Sequence, residues 1–210
     1  MVWFPAPMKL ILASSSPRRA EILRAAGFSF DIVPADIDEI LRPGEAPTEY
    51  VRRLAEEKAR TVARKIAKAD PDATAIIIAA DTTVVVNGTI LEKPESPSDA
   101  QRMLEQLSGR THDIHTGVAL LRLPDGVERI FADVTRVDFA DLSAKEIADY
   151  VASGEPFGKA GGYAIQGLGG RFVKRIEGCY FNVMGMPLGR VYQQLRKVQE
   201  GTAPPRTHFT

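Results

Sequence analysis

The segment Leu10-Ile11-Leu12-Ala13-Ser14-Ser15-Ser16-Pro17-Arg18-Arg19 joins a short apolar run to the start of a helical pattern. Leu10–Ala13 predicts a buried strand, and Arg19–Ala26 predicts a helix that ends at Gly27. In Ser16-Pro17, serine suits the N-cap and proline suits the first helical position. The segment therefore predicts a strand, a tight turn and a helix, the opening unit of an α/β fold.

The same turn is a candidate phosphate site. A helix start presents unpaired N–H groups and a partial positive charge. Ser14 adds a hydroxyl, and Arg18 and Arg19 add paired donors whose geometry matches phosphate oxygens. The alternative is a capped surface helix with two solvated arginines, and spacing alone favours neither.

Composition limits the classes of protein that the chain can represent. The chain has 210 residues, 44% of them hydrophobic, which is enough for a sizeable core. With 27 basic and 27 acidic residues the formal net charge is zero, so no overall field attracts nucleic acid or an anionic membrane. No apolar window is long enough to predict a membrane span. The single cysteine, Cys179, suits a reducing cytosol, so we expect a cytoplasmic protein.

Further along the chain, strand and helix patterns are mixed. The predicted strands are Phe28–Val33, Ala73–Ala80, Val84–Val86, Thr89–Leu91, His112–Leu123 and Val127–Phe139. Asn87-Gly88 and Pro124-Asp125-Gly126 predict hairpin turns. The predicted helices are Thr48–Ala69, Ser98–Leu107, Ser143–Ala152 with a capping box, and Leu188–Val198.

These elements predict an α/β fold: a mixed twisted sheet with helices on its faces, in two lobes around a central cleft. We expect one two-lobed domain over residues 8–199, an N-terminal extension over residues 1–7 and a disordered tail over residues 200–210.

Two acidic residues are candidates for chemistry. Asp81 follows the apolar run Ala73–Ala80, and ligands of open α/β sheets bind at the carboxyl ends of strands. Asp81 is therefore a candidate general base or metal ligand, although a buried backbone cap would have the same pattern. Glu39 would supply a second carboxylate, and Mg²⁺ takes one or two carboxylates together with substrate phosphates. Alone, Glu39 would be a solvated loop residue.

Two lysines and a glycine-rich segment complete the candidates. Lys58 and Lys93 are possible point charges for a phosphate tail, or ordinary solvated lysines. The glycine-rich segment, Phe157–Gly170, has six glycines around Gln166, which can both donate and accept hydrogen bonds as base recognition requires. A flexible hinge is the alternative. The segment matches neither the P-loop nor the dinucleotide-binding pattern.

Taken together, these segments resemble the Maf family, named for septum formation inhibition and containing nucleoside triphosphate pyrophosphatases. The resemblance spans roughly residues 8 to 198 and rests on several motifs in one order. The motifs are Ala13–Arg19, Ala79–Thr82, Leu107–His112, Lys159–Gly167 and Asn182–Pro187.

The resemblance implies roles for single residues. Asp81 would be the proton acceptor, and Asp81 and Glu39 would hold a divalent cation such as Mg²⁺ or Mn²⁺. Phosphate contacts would come from Ser14, Arg18, Arg19, Lys58 and Lys93. Arg18, Thr82 and Gln166 match the pyrimidine subfamily, which implies dTTP and UTP as substrates, with CTP and modified pyrimidine nucleotides as further candidates. In one departure, Gly162 and Ala164 stand where the subfamily has alanine and glycine.

Two alternatives accompany this interpretation. One is the 7-methyl-GTP pyrophosphatase of the same family, and the other is a non-catalytic nucleotide-binding regulator of cell division. Asp81, Glu39 and both arginines favour an enzyme, because a pure binder needs no carboxylate that activates water. The resemblance also implies a homodimer.

Overall fold

The computed structural model describes residues 8–200, in which seven strands form one mixed sheet with helices on both faces. The strands are β1 (Lys9–Leu12), β2 (Asp31–Ile32), β3 (Ala75–Val86), β4 (Thr89–Leu91), β5 (Thr111–Leu123), β6 (Glu128–Phe139) and β7 (Val173–Glu177). The α-helices are α1 (Pro17–Ala25), α2 (Pro47–Ala69), α3 (Pro97–Leu107), α4 (Ala144–Ala152), α5 (Tyr180–Val183) and α6 (Leu188–Gln199). The predicted extension, residues 1–7, and all but the first residue of the predicted tail lie outside the described residues.

The sheet combines a parallel and an antiparallel part. Its strand order is β2-β1-β3-β5-β6-β7, and β4 also pairs with β3. β1 runs parallel to both β2 and β3, whereas β3, β5, β6 and β7 pair antiparallel in succession. The predicted mixed α/β sheet is confirmed.

A gap along one edge of β3 positions the site. On the side away from β5, β1 pairs with Ala75–Ile78 and β4 pairs with Val84–Val86. Within the described part of the chain, the intervening residues 79–83 have no strand partner on that side, although β5 pairs with all of them on the other. The sheet is therefore open on one side at Asp81 and continuous on the other.

The hydrophobic cores on the two sides of this gap are separate from each other. In the first lobe, α1 and α6 cover one face of β1 and β3, and the apolar stripe of α2 covers the opposite face. In the second lobe, α3 and α4 pack on the distal parts of β3, β5 and β6. Ile76 and Ile78 belong to the first lobe and Val84 and Val86 to the second, so Asp81 lies between the cores. The predicted two lobes are confirmed.

Three strand predictions were wrong. Asp81 does not end a strand, because β3 continues through it to Val86 with β5 as its partner. Val84–Val86 is accordingly the end of β3 and not a separate strand. Of Phe28–Val33, only Asp31–Ile32 pairs with β1.

The turn and helix predictions hold within one or two residues. Asn87 and Gly88 both adopt positive φ, as the β3–β4 hairpin requires. The Ser143 and Glu146 capping box of α4 is present. Ser16 occupies the N-cap of α1 but makes no side-chain cap bond. β7, α5 and two 3₁₀ helices, Ala160–Gly162 and Leu168–Phe172, were not predicted. Over residues 8–200, no helix is long and apolar enough to cross a membrane.

Candidate functional site

A cleft of about 870 Å³ opens at the gap in the sheet. Its walls come from distant parts of the chain: the β1–α1 turn, the loop carrying Glu39, α2, the middle of β3, the loop after β4 and the glycine-rich segment. Every predicted site residue lines it, namely Ser14, Arg18, Arg19, Glu39, Lys58, Asp81, Thr82, Lys93 and Gln166.

Lys58 joins the two candidate carboxylates. Its ammonium lies 2.6 Å from Asp81 Oδ1 and 2.5 Å from Glu39 Oε1. Lys58 and Asp81 are 7% and 8% exposed, so this ion pair lies in a largely desolvated environment. Asp81 reaches Lys58 because the Asp81 side chain lies on the face of β3 that α2 covers. Removing Lys58 would leave the buried Asp81 carboxylate without its ion-pair partner, which is destabilising, whereas Lys58 without Asp81 would still contact Glu39.

Glu39 sits in a loop that α2 holds in place. The Tyr50 hydroxyl donates to the Glu39 carbonyl oxygen at 2.7 Å, and the Arg53 guanidinium donates to the Ile40 carbonyl oxygen at 3.0 Å. Arg53 also pairs with Glu45 at 2.6 Å. These contacts fix the loop backbone at Glu39 and Ile40, so the carboxylate is directed at Lys58 although its own side chain is 41% exposed.

The charges around Glu39 favour its ionised form. Burial alone would raise the pKa of Glu39, but the hydrogen bond and charge of Lys58 outweigh burial. Lys93, 3.4 Å from Glu39 Oε2, acts in the same direction. The pKa of Glu39 is therefore below its ordinary value, and the group remains an anion at neutral pH.

Arg19 ties together three separate segments. Its Nε donates to the Gly185 carbonyl oxygen at 3.0 Å, and its two terminal nitrogens donate to Ser14 Oγ at 3.0 Å and Thr82 Oγ1 at 3.1 Å. Thr82 in turn bonds to Thr116 Oγ1 at 3.0 Å, and Thr116 donates to the Asn182 carbonyl oxygen. Arg19 is thus a structural link across the cleft floor, with two N–H groups left for a ligand.

Arg18 differs from its neighbour. Among the residues that the structure describes, the Arg18 guanidinium makes no hydrogen bond or ion pair. Burial lowers the pKa of Arg18, and the nearby Glu21 carboxylate only partly opposes this effect. This guanidinium is half-buried, faces the cleft and has N–H groups without hydrogen-bond partners among the described residues. It is therefore suited to bind an anionic or carbonyl ligand.

The glycine-rich segment forms another wall of the cleft. Gln166 is exposed at the cleft, whereas Tyr163 is buried and its hydroxyl bonds to His112 Nε2 at 2.9 Å. His112 is 2% exposed, and burial lowers the pKa of His112 to about 4. His112 is therefore neutral at neutral pH and supports Tyr163 by hydrogen bonding and edge-on ring packing.

The family follows from the motifs that the cleft brings together. The sequence pattern of the Maf-like protein family matches residues 9–198. The chain belongs to the Maf-like family. A dTTP/UTP pyrophosphatase from Koribacter versatilis is 47% identical over 197 residues, which cover 94% of this chain and 98% of that protein.

Two further relatives bear the same name. A dTTP/UTP pyrophosphatase from Carboxydothermus hydrogenoformans is 46% identical over 90% of this chain and 98% of its own length. One from Syntrophomonas wolfei is 46% identical over 89% of this chain and 95% of its own length. This Maf-like chain therefore matches nearly the full length of all three.

Two carboxylates of this Maf-like cleft, Glu39 and Asp81, are joined by Lys58. Over residues 8–200, no group of three or more His, Cys, Asp or Glu side chains could hold a metal ion. Glu39 Oε1 and Asp81 Oδ1 both contact the Lys58 ammonium, which occupies the point between them. Carboxylate oxygens are nevertheless hard donors of the kind that a magnesium-type ion takes together with water and substrate phosphates.

Sequence reasoning missed Lys159 and Tyr50 as cleft residues. Lys159 Nζ donates to the Glu155 carbonyl oxygen at 2.6 Å, and Lys159 lies close enough to Arg18 for their charges to interact. Lys159 stands within the quoted motif Lys159–Gly167, so the motif was a signal that could have found it. Tyr50 sits in the apolar stripe of α2, where nothing distinguishes it from a core residue.

Proposed function

We propose that this protein is a nucleoside triphosphate pyrophosphatase that hydrolyses dTTP and UTP to the monophosphate and pyrophosphate, with CTP and modified pyrimidine nucleotides as further candidate substrates. The observation that carries the proposal is the buried Lys58–Asp81 pair at the floor of a cleft lined by two arginines. Relatives of the same name that cover nearly the whole chain support it.

In the proposed reaction, water attacks the α-phosphorus and the bond to the bridging oxygen of the β-phosphate breaks. The water proton passes to the Asp81 carboxylate, and pyrophosphate leaves with the electrons of the broken bond. Lys58 holds Asp81 in place at 2.6 Å, which orients the acceptor oxygen before substrate arrives. A pure nucleotide-binding regulator would need no such buried carboxylate.

Positive charge is available for the triphosphate. Arg18 offers N–H groups that have no partner among the described residues. Further positive charge at the cleft comes from Arg19, Lys58 and Lys93, and Ser14 contributes a hydroxyl. Such groups stabilise negative charge that develops on departing pyrophosphate. Glu39 and Asp81 would hold a divalent cation, which would neutralise phosphate charge and polarise the phosphoryl oxygens.

Base selection is proposed for Arg18, Thr82 and Gln166. Gln166 can donate to and accept from the edge of a pyrimidine, and Arg18 can donate to a carbonyl oxygen. Thr82 would act through Arg19, because its hydroxyl is already bonded to Arg19 and Thr116. The homodimer and the cytoplasmic location stay predictions.

A panel of substrates tests the function. Purified protein is incubated with dTTP, UTP, CTP, ATP, GTP and 7-methyl-GTP in Mg²⁺ or Mn²⁺, and monophosphate, pyrophosphate and orthophosphate are measured separately. We expect pyrophosphate and monophosphate in equal amounts, with dTTP and UTP preferred. A preference for 7-methyl-GTP would overturn the substrate assignment, and a diphosphate product with orthophosphate would overturn attack at the α-phosphorus.

A further inference from the structure

The carboxylate of Glu155 accepts hydrogen bonds from the backbone of the glycine-rich segment. Its Oε2 accepts the Leu168 N–H at 2.9 Å, and its Oε1 accepts the Gly169 N–H at 2.9 Å. Oε1 also accepts the Tyr150 hydroxyl at 2.8 Å. A carboxylate that accepts backbone N–H groups forms charge-assisted hydrogen bonds, which are stronger than neutral ones.

Tyr150 extends the same contact to the other side of Gln166. The Tyr150 hydroxyl donates to Glu155 and accepts the Ala164 N–H at 3.2 Å. The Tyr150 ring is fully buried in the core of the second lobe. Glu155 and Tyr150 therefore anchor the chain at Ala164 and again at Leu168, two residues to either side of Gln166.

Close packing against this pair explains two of the glycines. A Cβ at Gly167 would overlap Glu155 Oε2, and a Cβ at Gly169 would lie 2.7 Å from the Tyr150 hydroxyl oxygen. Neither glycine has a positive φ that would require glycine for conformational reasons. Their lack of a side chain lets the backbone approach the carboxylate and the hydroxyl closely, which a freely moving hinge would not require.

Glu155 and Tyr150 do not themselves line the cleft, whereas Lys159 and residues 163–166 do. The Glu155 backbone also serves this wall, because its carbonyl oxygen accepts from Lys159 Nζ at 2.6 Å. The Glu155 carboxylate is thus placed to act on a ligand through the segment that it holds, and Tyr150 also lies close enough to Arg18 for an electrostatic interaction.

We propose that Glu155, with Tyr150, is a positioning residue for base selection: it holds the segment 164–169 so that Gln166 meets the base in one geometry. The inference rests on the proposed function, in which Gln166 contacts a pyrimidine. Loss of the pair lets the segment move, so correct and incorrect bases are bound more equally while the water-activating side of the cleft is untouched.

Glu155→Gln tests the proposal with little change in shape. The amide keeps one acceptor oxygen and directs an N–H₂ group at a backbone N–H, so at least one anchoring bond is lost. Glu146→Gln is the matched control, because Glu146 is another carboxylate that accepts a backbone N–H, that of Ser143, at the far end of α4. Steady-state kcat and KM are measured for dTTP, UTP and ATP in all three proteins.

We expect the ratio of kcat/KM for dTTP over ATP to fall about tenfold in Glu155→Gln, mainly through a higher KM for dTTP, as for loss of one charge-assisted hydrogen bond. Glu146→Gln should keep the wild-type ratio. A wild-type ratio in Glu155→Gln would overturn the proposal, and so would an equal fall in the control, which would mean that any damage to α4 has the same effect.

Backbone hydrogen exchange gives a readout that does not depend on activity. The Ala164, Leu168 and Gly169 amides should exchange faster in Glu155→Gln than in wild type, with no change at Asp81. In a double-mutant cycle with Tyr150→Phe, the two losses in selectivity should be less than additive, because both changes release the same segment. Unchanged exchange, or fully additive losses, would contradict the proposal.

The two proposals can fail separately. A wild-type enzyme without preference for pyrimidines would refute the proposed substrate. Faster exchange over residues 164–169 in Glu155→Gln would then still show that the pair anchors the segment, and unchanged exchange would refute that as well.

Discussion

The two walls of the cleft are built in opposite ways. In the wall formed by β1, α1, α2 and β3, the side chains bond to one another: Lys58 bridges two carboxylates, and Arg19 links Ser14, Thr82 and Gly185. In the glycine-rich segment, the backbone is held by hydrogen bonds to Glu155 and Tyr150, which do not line the cleft. Among the described residues, the side-chain amide of Gln166 has no hydrogen-bond partner; the guanidinium of Arg18 has none either, although Arg18 lies in α1 and is the exception in the first wall.

This difference matches two tasks. A side chain that must accept a proton needs a fixed position before substrate binds, and a network that satisfies its neighbours provides one. A side chain that recognises a base needs free donors and acceptors on a fixed backbone, since groups already bonded to protein cannot pair with a ligand. Apart from Arg18 and Thr82, for which base selection is proposed, the first wall is thus suited to chemistry and the second to selection.

The largest expected effect comes from the wall that is suited to chemistry. Asp81→Asn should lower turnover by about 10²–10⁴-fold, the usual contribution of a general base. Pyrophosphate release from dTTP measures this loss, and equilibrium binding should show that nucleotide affinity is retained in part. Asp113→Asn, a similar change at a partly exposed carboxylate of β5, is the control and should leave turnover within twofold, as for a neutral surface change. Wild-type turnover in Asp81→Asn would remove Asp81 from the mechanism.

The next effect separates the two neighbouring arginines. Arg19→Met removes three hydrogen bonds and should lower the free energy of unfolding by about 1–3 kcal/mol. Arg18→Met removes none to the described residues, so stability should change by no more than about 0.5 kcal/mol while the KM for dTTP rises. Urea unfolding and kinetics on the same preparations measure both. Equal destabilisation by the two changes would show that the contrast between bonded and free arginines is wrong.

A smaller effect is expected at the tip of the glycine-rich segment. Gln166→Glu removes the N–H₂ donor and adds negative charge, so the preference for dTTP and UTP over ATP should fall about tenfold. Because Gln166 is exposed, the melting temperature should stay unchanged. An unaltered substrate panel would show that Gln166 does not contact the base.

The smallest expected effect is the pH dependence of the stability that Glu155 contributes to the fold. Burial alone would raise the pKa of Glu155, but the N–H groups of Gly169 and Leu168 outweigh burial and hold the pKa of Glu155 below its ordinary value. The group therefore stabilises the fold above its unfolded pKa of about 4.3, and this stabilisation is lost as the pH falls through the lower folded value.

Melting temperatures of wild type and Glu155→Gln measure this contribution. The difference between them should be largest near neutral pH and should shrink below about pH 4, where the carboxylate takes up a proton in wild type. A difference that stays constant as the pH falls well below about 4 would mean that ionised Glu155 does not stabilise the segment.

Local patterns predicted much of the fold. The capping box of Ser143 and Glu146 spans three residues, and the Asn87-Gly88 turn spans two, so their partners are neighbours in sequence. The place of Asp81 was not predictable in this way. An aspartate after an apolar run looks like the end of a strand, but β3 continues because β5 pairs with it throughout.

The residues that line the cleft were predictable as a set, through motifs in one order, but the contacts that each of them makes were not. Glu155 was not selected from the sequence, because its partners Leu168 and Gly169 lie 13 and 14 residues later, in a 3₁₀ helix that was not predicted. Nothing in the sequence near Glu155 indicates which backbone groups it will contact.

The sequence by itself determined the mixed α/β class, the turn from β1 into α1 and the residue types of the site, since these depend on short-range periodicity, capping and motif order. Only the tertiary structure decided that β1 and β4 leave a gap beside Asp81, and that the Arg19 guanidinium is bonded while that of Arg18 has no partner within residues 8–200. Successive helical residues point about 100° apart, with 3.6 residues per turn. Two identical neighbours therefore meet different surroundings, which depend on segments as distant as Thr82 and Gly185.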